Sequence, residues 1–210
     1  MKVIIPVKKT STRCENKNFK PFYNNKSLFD IKVEQLINSG IDKKNIVIAT
    51  DNLELRNDGY SIIDDSAYNH KWNDAIEYWM QQIEDEDVAV TPVTSPMFNG
   101  FSDIWKSWDK VSNDGHDSLV VVKRNYHFLM DKNGRPINFG YGPWHTISQS
   151  LPEWYTMECS CFVIKTKVAR YCHYWIGMNP YLYEDHSTTI DIDTDVEFRF
   201  AQKLYAEKQK

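Results

Sequence analysis

Four short runs of consecutive apolar residues, separated by stretches with helical periodicity, constrain this chain more than any other feature. Met1–Val7 (MKVIIPV), Asn45–Thr50 (NIVIAT), Asp87–Thr91 (DVAVT) and Ser118–Val122 (SLVVV) are short and apolar without alternation. Such runs read as strands buried on both faces. That burial arises when helices cover both sides of a parallel sheet. The intervening segments supply the helices. Ser27–Ser39 sets Leu28, Ile31, Val33, Leu36 and Ile37 at near-helical spacing, with Gly40 as its stop. Asn69–Gln82 places Trp72, Ile76 and Trp79 on one side, and Ser102–Val111 is a further helix with Ser102 as a candidate N-cap. The expected class is α/β: three layers, a mostly parallel, Rossmann-like sheet with helices on both faces.

The pattern changes after residue 120. Phe128–Met130 and Pro136–Phe139 flank Asp131-Lys-Asn-Gly134, whose Asn-Gly pair marks a tight hairpin. A ribbon standing off a parallel sheet serves as a dimer arm or a lid, or is an ordinary surface hairpin. Glu158–Lys165 reads as a strand, Thr166–Trp175 as a helix, Thr189–Asp193 as a final short strand and Val196–Lys208 as a closing helix. With no repeat or low-complexity linker, residues 1–210 are expected to form one domain, with 125–150 as a projecting insert.

Composition narrows the class. The chain has 210 residues with a net charge of −4, 41% hydrophobic and 26% charged residues, which is ordinary globular usage. Mild acidity argues against a general nucleic-acid binder. No apolar run is long enough to span a membrane, and the apolar stretch at the N-terminus is too short for a signal peptide. Cys14, Cys159, Cys161 and Cys172 form no CxxC pair and read as reduced thiols of a cytoplasmic protein. The six histidines match no nucleophile motif, and neither GxGxxG nor GxxxxGK[ST] occurs.

Ligands of open α/β sheets bind at the carboxyl ends of the strands. The loop after the first strand carries Lys8, Lys9, Arg13, Lys17 and Lys20 with Thr10, Ser11 and Thr12 among them. Cations interleaved with hydroxyls and free N–H groups suit a polyphosphate; a solvated basic loop is the alternative. Near the other end, Thr189-Ile-Asp-Ile-Asp-Thr194 sets Asp191 and Asp193 two residues apart, so that in a strand both carboxylates face one way. Two hard oxygen ligands suit Mg²⁺, which completes its shell with water and substrate phosphates. The competing use is an N-cap for the last helix, from Asp193, Thr194 or Asp195.

These residues resemble a family. Ile5-Pro-Val-Lys-Lys-Thr-Ser-Thr-Arg-Cys-Glu-Asn-Lys-Asn18 is similar to the opening loop, I-P-A-R-x-G-S-x-x-x-P-x-K-N, of the bacterial cytidylyltransferases that make CMP-activated acidic sugars, the CMP-sialic acid synthetase group. Pro6, Ser11, Lys17 and Asn18 match in register, and Lys8 replaces the Arg. Ile46–Asp51 resembles the family's second strand ending in S/T-D, and Thr94-Ser-Pro96 with Asp103-Ile104 resembles Q-x-T-S-P and the helix after it. Gln149-Ser-Leu-Pro152 resembles R-Q-x-L-P, and Asp191-Ile-Asp-Thr194 with Glu197-Phe198 and Ala201 resembles D-I-D-T-x-x-D-F-x-x-A. The matches keep their order over essentially the whole chain.

The departures cluster. Lys9 and Thr10 stand where the family loop has glycines, and Glu15 replaces its proline. On the acceptor side, Pro92 replaces the Gln before T-S-P and Ser148 the Arg before Q-x-L-P, and no R-P element follows the second strand.

The resemblance implies a nucleotidyltransferase fold, a homodimer with no nucleic-acid or membrane partner, and the reaction CTP + acceptor → CMP-acceptor + pyrophosphate. The acceptor would be an acidic sugar or a phosphorylated or phosphonate metabolite. It assigns catalysis to Lys17, Arg13 and Asp193, and Mg²⁺ binding to Asp191 and Asp193. Substrate binding falls to Lys8, Ser11, Asn18, Asp51, Thr94 and Ser95, with Tyr181 and Tyr183 as acceptor walls. A glycosyltransferase with a D-x-D metal site and a non-catalytic nucleotide-binding relative are the alternatives.

Overall fold

A computed structural model describes residues 1–9, 13–68 and 72–209. Its seven strands form one sheet: β1 (Lys2–Pro6), β2 (Ile46–Thr50), β3 (Ser61–Asp64), β4 (Asp87–Val90), β5 (Ser118–Asn125), β6 (Trp154–Lys165) and β7 (Pro180–Glu184), in spatial order β3-β2-β1-β4-β6-β5-β7. Only β6 runs antiparallel, between β4 and β5. The helices are α1 (Leu28–Asn38), α2 (Trp72–Gln81), α3 (Phe101–Val111), α4 (Thr166–Cys172) and α5 (Asp195–Lys208).

Strand alternation divides the core. Val3, Ile5, Ile46 and Ile48 join Leu28, Leu36, Phe101, Ile104 and Phe198 on one face, so α1, α3 and α5 cover it. Ile4, Val47, Ala49 and Val88 turn the other way, onto Ile76, Trp79 and Met80 of α2 and Ala169 of α4. The expected three-layer, mostly parallel sheet is therefore the observed one. The capping signals explain where two helices begin. Ser27 and Thr194 each form a reciprocal capping box, with Asp30 and Glu197 at the third helical position.

Several expectations are corrected. Thr189–Asp193 is not a strand, although its alternation reads like one. It has no ladder, and Ile192 N–H donates singly to the Thr94 carbonyl at 3.0 Å. Conversely, β3 and β7 were not anticipated. Both are edge strands, and Ile63 is the one fully buried residue of β3. Helix α3 starts at Phe101 with Gly100 at its N-cap, so Ser102 lies inside the first turn. A Cβ at Gly100 would lie 3.1 Å from the Phe98 ring and press on it. Helix α4 stops at Cys172, where His173 adopts a left-handed φ of 50°. The hairpin at 131–134 is a tight turn closed by a single bridge, Met130 to Pro136, with Gly134 at φ 78°.

Candidate functional site

The carboxyl edge of β1 brings the two ends of the chain together. Lys17, 8% exposed, donates to the Ile192 carbonyl at 2.5 Å and lies 3.1 Å from Asp193 Oδ1. Arg13 takes the other oxygen, Nη1 to Asp193 Oδ2 at 2.7 Å. One turn on, Lys20 Nζ lies 3.1 Å from Asp195 Oδ1, and the buried Cys14 thiol donates to the same oxygen at 3.2 Å. Burial, ahead of the Asp195 contact, pushes the Cys14 thiol up, so this is a structural cysteine rather than a nucleophile.

The cap of α5 frees Asp193 for this work. Thr194 is the N-cap, and the Glu197 carboxylate accepts from the N–H groups of Asp193 and Thr194 at 2.9 and 2.8 Å. Those bonds hold the Glu197 carboxyl below its usual range, the Asp193 N–H contributing most. The two competing uses of this segment thus fall on different residues.

Lys8 lies apart from Arg13 and Lys17. Its ammonium pairs with Asp65 Oδ1 at 2.6 Å, and the Asp65 side chain is almost wholly buried after β3. Burial raises the Asp65 carboxyl despite that cation. Asp51 anchors the same end of the loop by accepting the Lys9 N–H at 2.6 Å. Asn18 links the two clusters, donating to the Lys8 carbonyl at 2.9 Å while its own side-chain oxygen is buried without a partner. Ser11 and its neighbours Thr10 and Thr12 lie outside the described residues.

The turn after β4 completes the edge. Thr94 is partly exposed, but Ser95 is 1% exposed and its hydroxyl donates inward to the Cys159 carbonyl at 3.4 Å. Ser95 is thus a structural turn residue, and Thr94 is the one that borders open space. Cys159 sits beside the acidic segment: burial first, then Asp191, Glu158 and Asp193, push its thiol up. Glu158 accepts from Thr189 Oγ1 at 2.6 Å, and Thr189 accepts from Lys123 at 2.6 Å.

Asp191 is exposed beside this network. No group of three His, Cys, Asp or Glu side chains at metal-holding spacing occurs among the described residues. Tyr181 stands edge-on to His116, ring centroids 5.5 Å apart, at the amino end of β5 and away from the carboxyl edge. Tyr183 packs toward the start of α3.

Asp65, Glu158 and the Lys20–Asp195 pair were missed as site residues. Asp65 follows a strand that the sequence pattern does not reveal, and Glu158 carries no motif. Asp195 reads in the sequence only as a cap of the last helix.

Comparisons with known proteins bear on the fold and on the amino-terminal part of the chain. The family model described as Cytidylyltransferase matches residues 2–62, the stretch holding β1, the basic loop, α1 and β2. The post-translational flagellin modification protein B of Campylobacter coli is 24% identical over 221 residues, covering 94% of this chain and 92% of that protein. Among solved structures, a CMP:2-keto-3-deoxy-manno-octonic acid synthetase complexed with CTP superposes with a TM-score of 0.69 at 11% identity, covering 99% of this chain and 98% of that one. The bifunctional IspDF of Campylobacter jejuni gives 0.68 at 12% identity, covering 94% of this chain and 53% of that one. The resemblance read from the motifs is borne out: the chain matches the Cytidylyltransferase model over its first strands and basic loop, and it shares the fold of these solved structures over almost its whole length.

Proposed function

We propose that this chain is a cytidylyltransferase that transfers CMP from CTP to an acidic sugar, or to another anionic acceptor such as a phosphorylated or phosphonate metabolite, with release of pyrophosphate. The observation that carries the reading is the meeting of Lys17 and Arg13 on Asp193, across 176 and 180 residues of chain. That meeting sets the basic loop beside the acidic segment, as transfer to an α-phosphorus requires. The similar proteins, a flagellin modification protein and a CMP:2-keto-3-deoxy-manno-octonic acid synthetase, favour a sugar acid over the other acceptors.

In this reading an acceptor oxygen attacks the α-phosphorus in line. A new P–O bond forms, the bond to the bridging oxygen of pyrophosphate breaks, and the acceptor proton passes to solvent. Such transfer depends on positioning and charge neutralisation more than on covalent help. Lys17 and Arg13 turn from Asp193 toward the phosphate oxygens and hold their charge through the transition state. Asn18 supplies an amide whose oxygen is buried and unmatched, suited to a donor on the nucleotide. Asp51, with Lys8 on Asp65, holds the loop in shape, Ser11 adds a hydroxyl to it, and Thr94 borders the acceptor.

The donor set fits Mg²⁺. Asp191 and Asp193 are hard oxygen ligands, and with no group of three such ligands among the described residues the remaining positions fall to phosphate oxygens and water. Bound there, Mg²⁺ would supply Lewis-acid polarisation of the phosphate.

The same reading makes residues 1–210 one cytoplasmic unit, where CTP is made, and the insert at 125–150, with the first residues of β6, the contact of a homodimer. Trp144 is 81% exposed, and Tyr126, Met130, Ile147, Trp154 and Met157 are exposed beside it in sequence. Apolar exposure so concentrated marks an association surface, and a second copy is the occupant we infer. No helix among the described residues is long and apolar enough to cross a membrane.

The test is pyrophosphate release with CTP, Mg²⁺ and a panel of 2-keto-3-deoxy sugar acids, sialic acids, phosphorylated polyols and phosphonates. Release with CTP and one acceptor class, lost in Asp193→Ala, is expected. No release together with no CTP binding overturns the proposal. Turnover of a supplied nucleotide sugar without CTP would move it to the glycosyltransferases. CTP binding with turnover unchanged in Asp193→Ala would contradict the role of that residue.

A further inference from the structure

Among the described residues, one lysine of the core has no counter-ion. Lys32 of α1 is wholly inaccessible to solvent. Its ammonium lies 3.4 Å from the Ser95 carbonyl, its hydrogen-bond acceptor, and 4.7 Å from the Phe101 ring centroid. The ionisable group facing it is the Cys161 thiol of β6, which burial pushes up to about 12 and so keeps neutral. Burial in turn brings Lys32 down from the ordinary lysine value to about 7. A Met or Leu would fill this space without the desolvation cost. A residue that costs stability and makes few contacts is characteristic of a position kept for function.

The contacts state what it holds. Lys32 reaches the Ser95 carbonyl, and Gln35, one turn along α1, donates to the Pro96 carbonyl at 2.6 Å. The Thr94 carbonyl in turn accepts from Ile192 N–H at 3.0 Å, and Ile192 directly precedes Asp193. The turn at 94–96 is therefore strung between a helix beneath the sheet edge and the acidic segment above it.

We propose that Lys32 is a positioning residue: it holds the Thr94–Pro96 turn from below and, through Thr94 and Ile192, sets where the Asp191–Asp193 segment stands relative to the acceptor. This rests on the cytidylyltransferase reading for its catalytic consequence, but its structural consequence does not. Lys32 touches no substrate. It acts by fixing the turn, so its loss should disturb acceptor use and leave CTP binding intact. Misplacement of this order costs up to roughly 100-fold in rate.

The sign of its stability effect follows from the lowered value. Between about pH 7 and the ordinary lysine range the unfolded chain binds a proton that the folded chain does not. Stability therefore falls as pH drops through that window and levels off below about 7. Lys32→Met should raise the melting temperature at pH 7, and the gain should shrink as the pH is raised toward the ordinary lysine value.

The experiment compares wild type, Lys32→Met and Lys32→Gln, the last keeping a donor without a charge. Three readouts are taken: melting temperature against pH, amide hydrogen exchange of residues 93–98 and 192–194 without substrate, and KM for the acceptor that turns over beside the Kd for CTP with Mg²⁺. Expected for Lys32→Met is a higher melting temperature at pH 7, faster exchange in both segments, acceptor kcat/KM lower by roughly 10- to 100-fold and CTP affinity unchanged. Lys32→Gln should restore most of the protection. Unchanged exchange and unchanged acceptor KM in Lys32→Met overturn the proposal. If Lys32→Met does not fold, loss of exchange protection in Lys32→Gln equal to that of global unfolding also overturns it. Changed exchange in a protein that transfers nothing from CTP would sustain the positioning role and overturn the cytidylyl-transfer reading instead.

Discussion

The basic loop with the acidic segment, and the insert at 125–150, are assembled in opposite ways. In the first, Lys17, Arg13 and Lys20 each find a carboxylate more than 170 residues away in sequence. In the second, contacts are local: Asp131 closes its own turn by accepting from Asn133 and Arg135 N–H groups at 2.8 and 2.9 Å, and Asn138 bridges to His127 and Leu129. The loop and acidic segment hold their charges together before any ligand arrives, which suits chemistry that needs preorganised cations. The insert is held by its own turns and leaves aromatic side chains exposed, which suits association and a choice of acceptor. Function placed on loops over a rigid sheet can vary this way without disturbing the core.

If that contrast is right, damage to the first region should be the most severe. Asp193→Asn keeps the shape and removes the charge; turnover should fall by ~100-fold, about 3 kcal/mol of transition-state stabilisation, in initial-rate assays of pyrophosphate. A variant retaining most of its rate would show that the ion pairs are structural only. The insert should respond in assembly instead. Trp144→Ser should halve the mass measured by sedimentation while CTP affinity holds, and loss of CTP binding would show that the two regions are not separable. Arg13→Lys sharpens the comparison within the loop. The side chain of Arg13 is 67% exposed where that of Lys17 is 10%, so its substitution should cost only about 1 kcal/mol, roughly fivefold in rate, and added salt should shrink the difference. The smallest effect is expected at the cap of α5. Thr194→Ala removes the acceptor of the Glu197 N–H bond at 3.3 Å and should lower stability by ~1 kcal/mol, a few degrees in a thermal melt.

What could be read from the sequence follows the burial pattern. β1, β2 and β4 are apolar runs because both faces are covered, and the division of Val3 and Ile5 from Ile4 confirms the reason. β3 and β7 escaped because they lie at the two edges, where side chains are half-exposed and the pattern weakens. The acidic segment misled in the opposite direction. Asp191, Ile192 and Asp193 alternate as a strand would, but the Ile192 carbonyl is taken by the Lys17 ammonium rather than by a neighbouring strand.

The basic loop and the D-I-D element were legible as motifs, and their meeting was an expectation that the topology alone could fulfil. Lys32 was invisible as a charge. It lies four residues after Leu28 and four before Leu36, on the apolar face of α1, but a lysine at such a position ordinarily carries its ammonium out to solvent along its own stem.

The central claim is that the two ends of the chain share one ligand. Calorimetric titration of CTP into wild type and Asp193→Asn, each with and without Mg²⁺, tests it most directly. The account predicts tight binding by wild type that depends on Mg²⁺, and a variant whose weaker binding no longer responds to the ion. Equal binding by both proteins, indifferent to Mg²⁺, would contradict it.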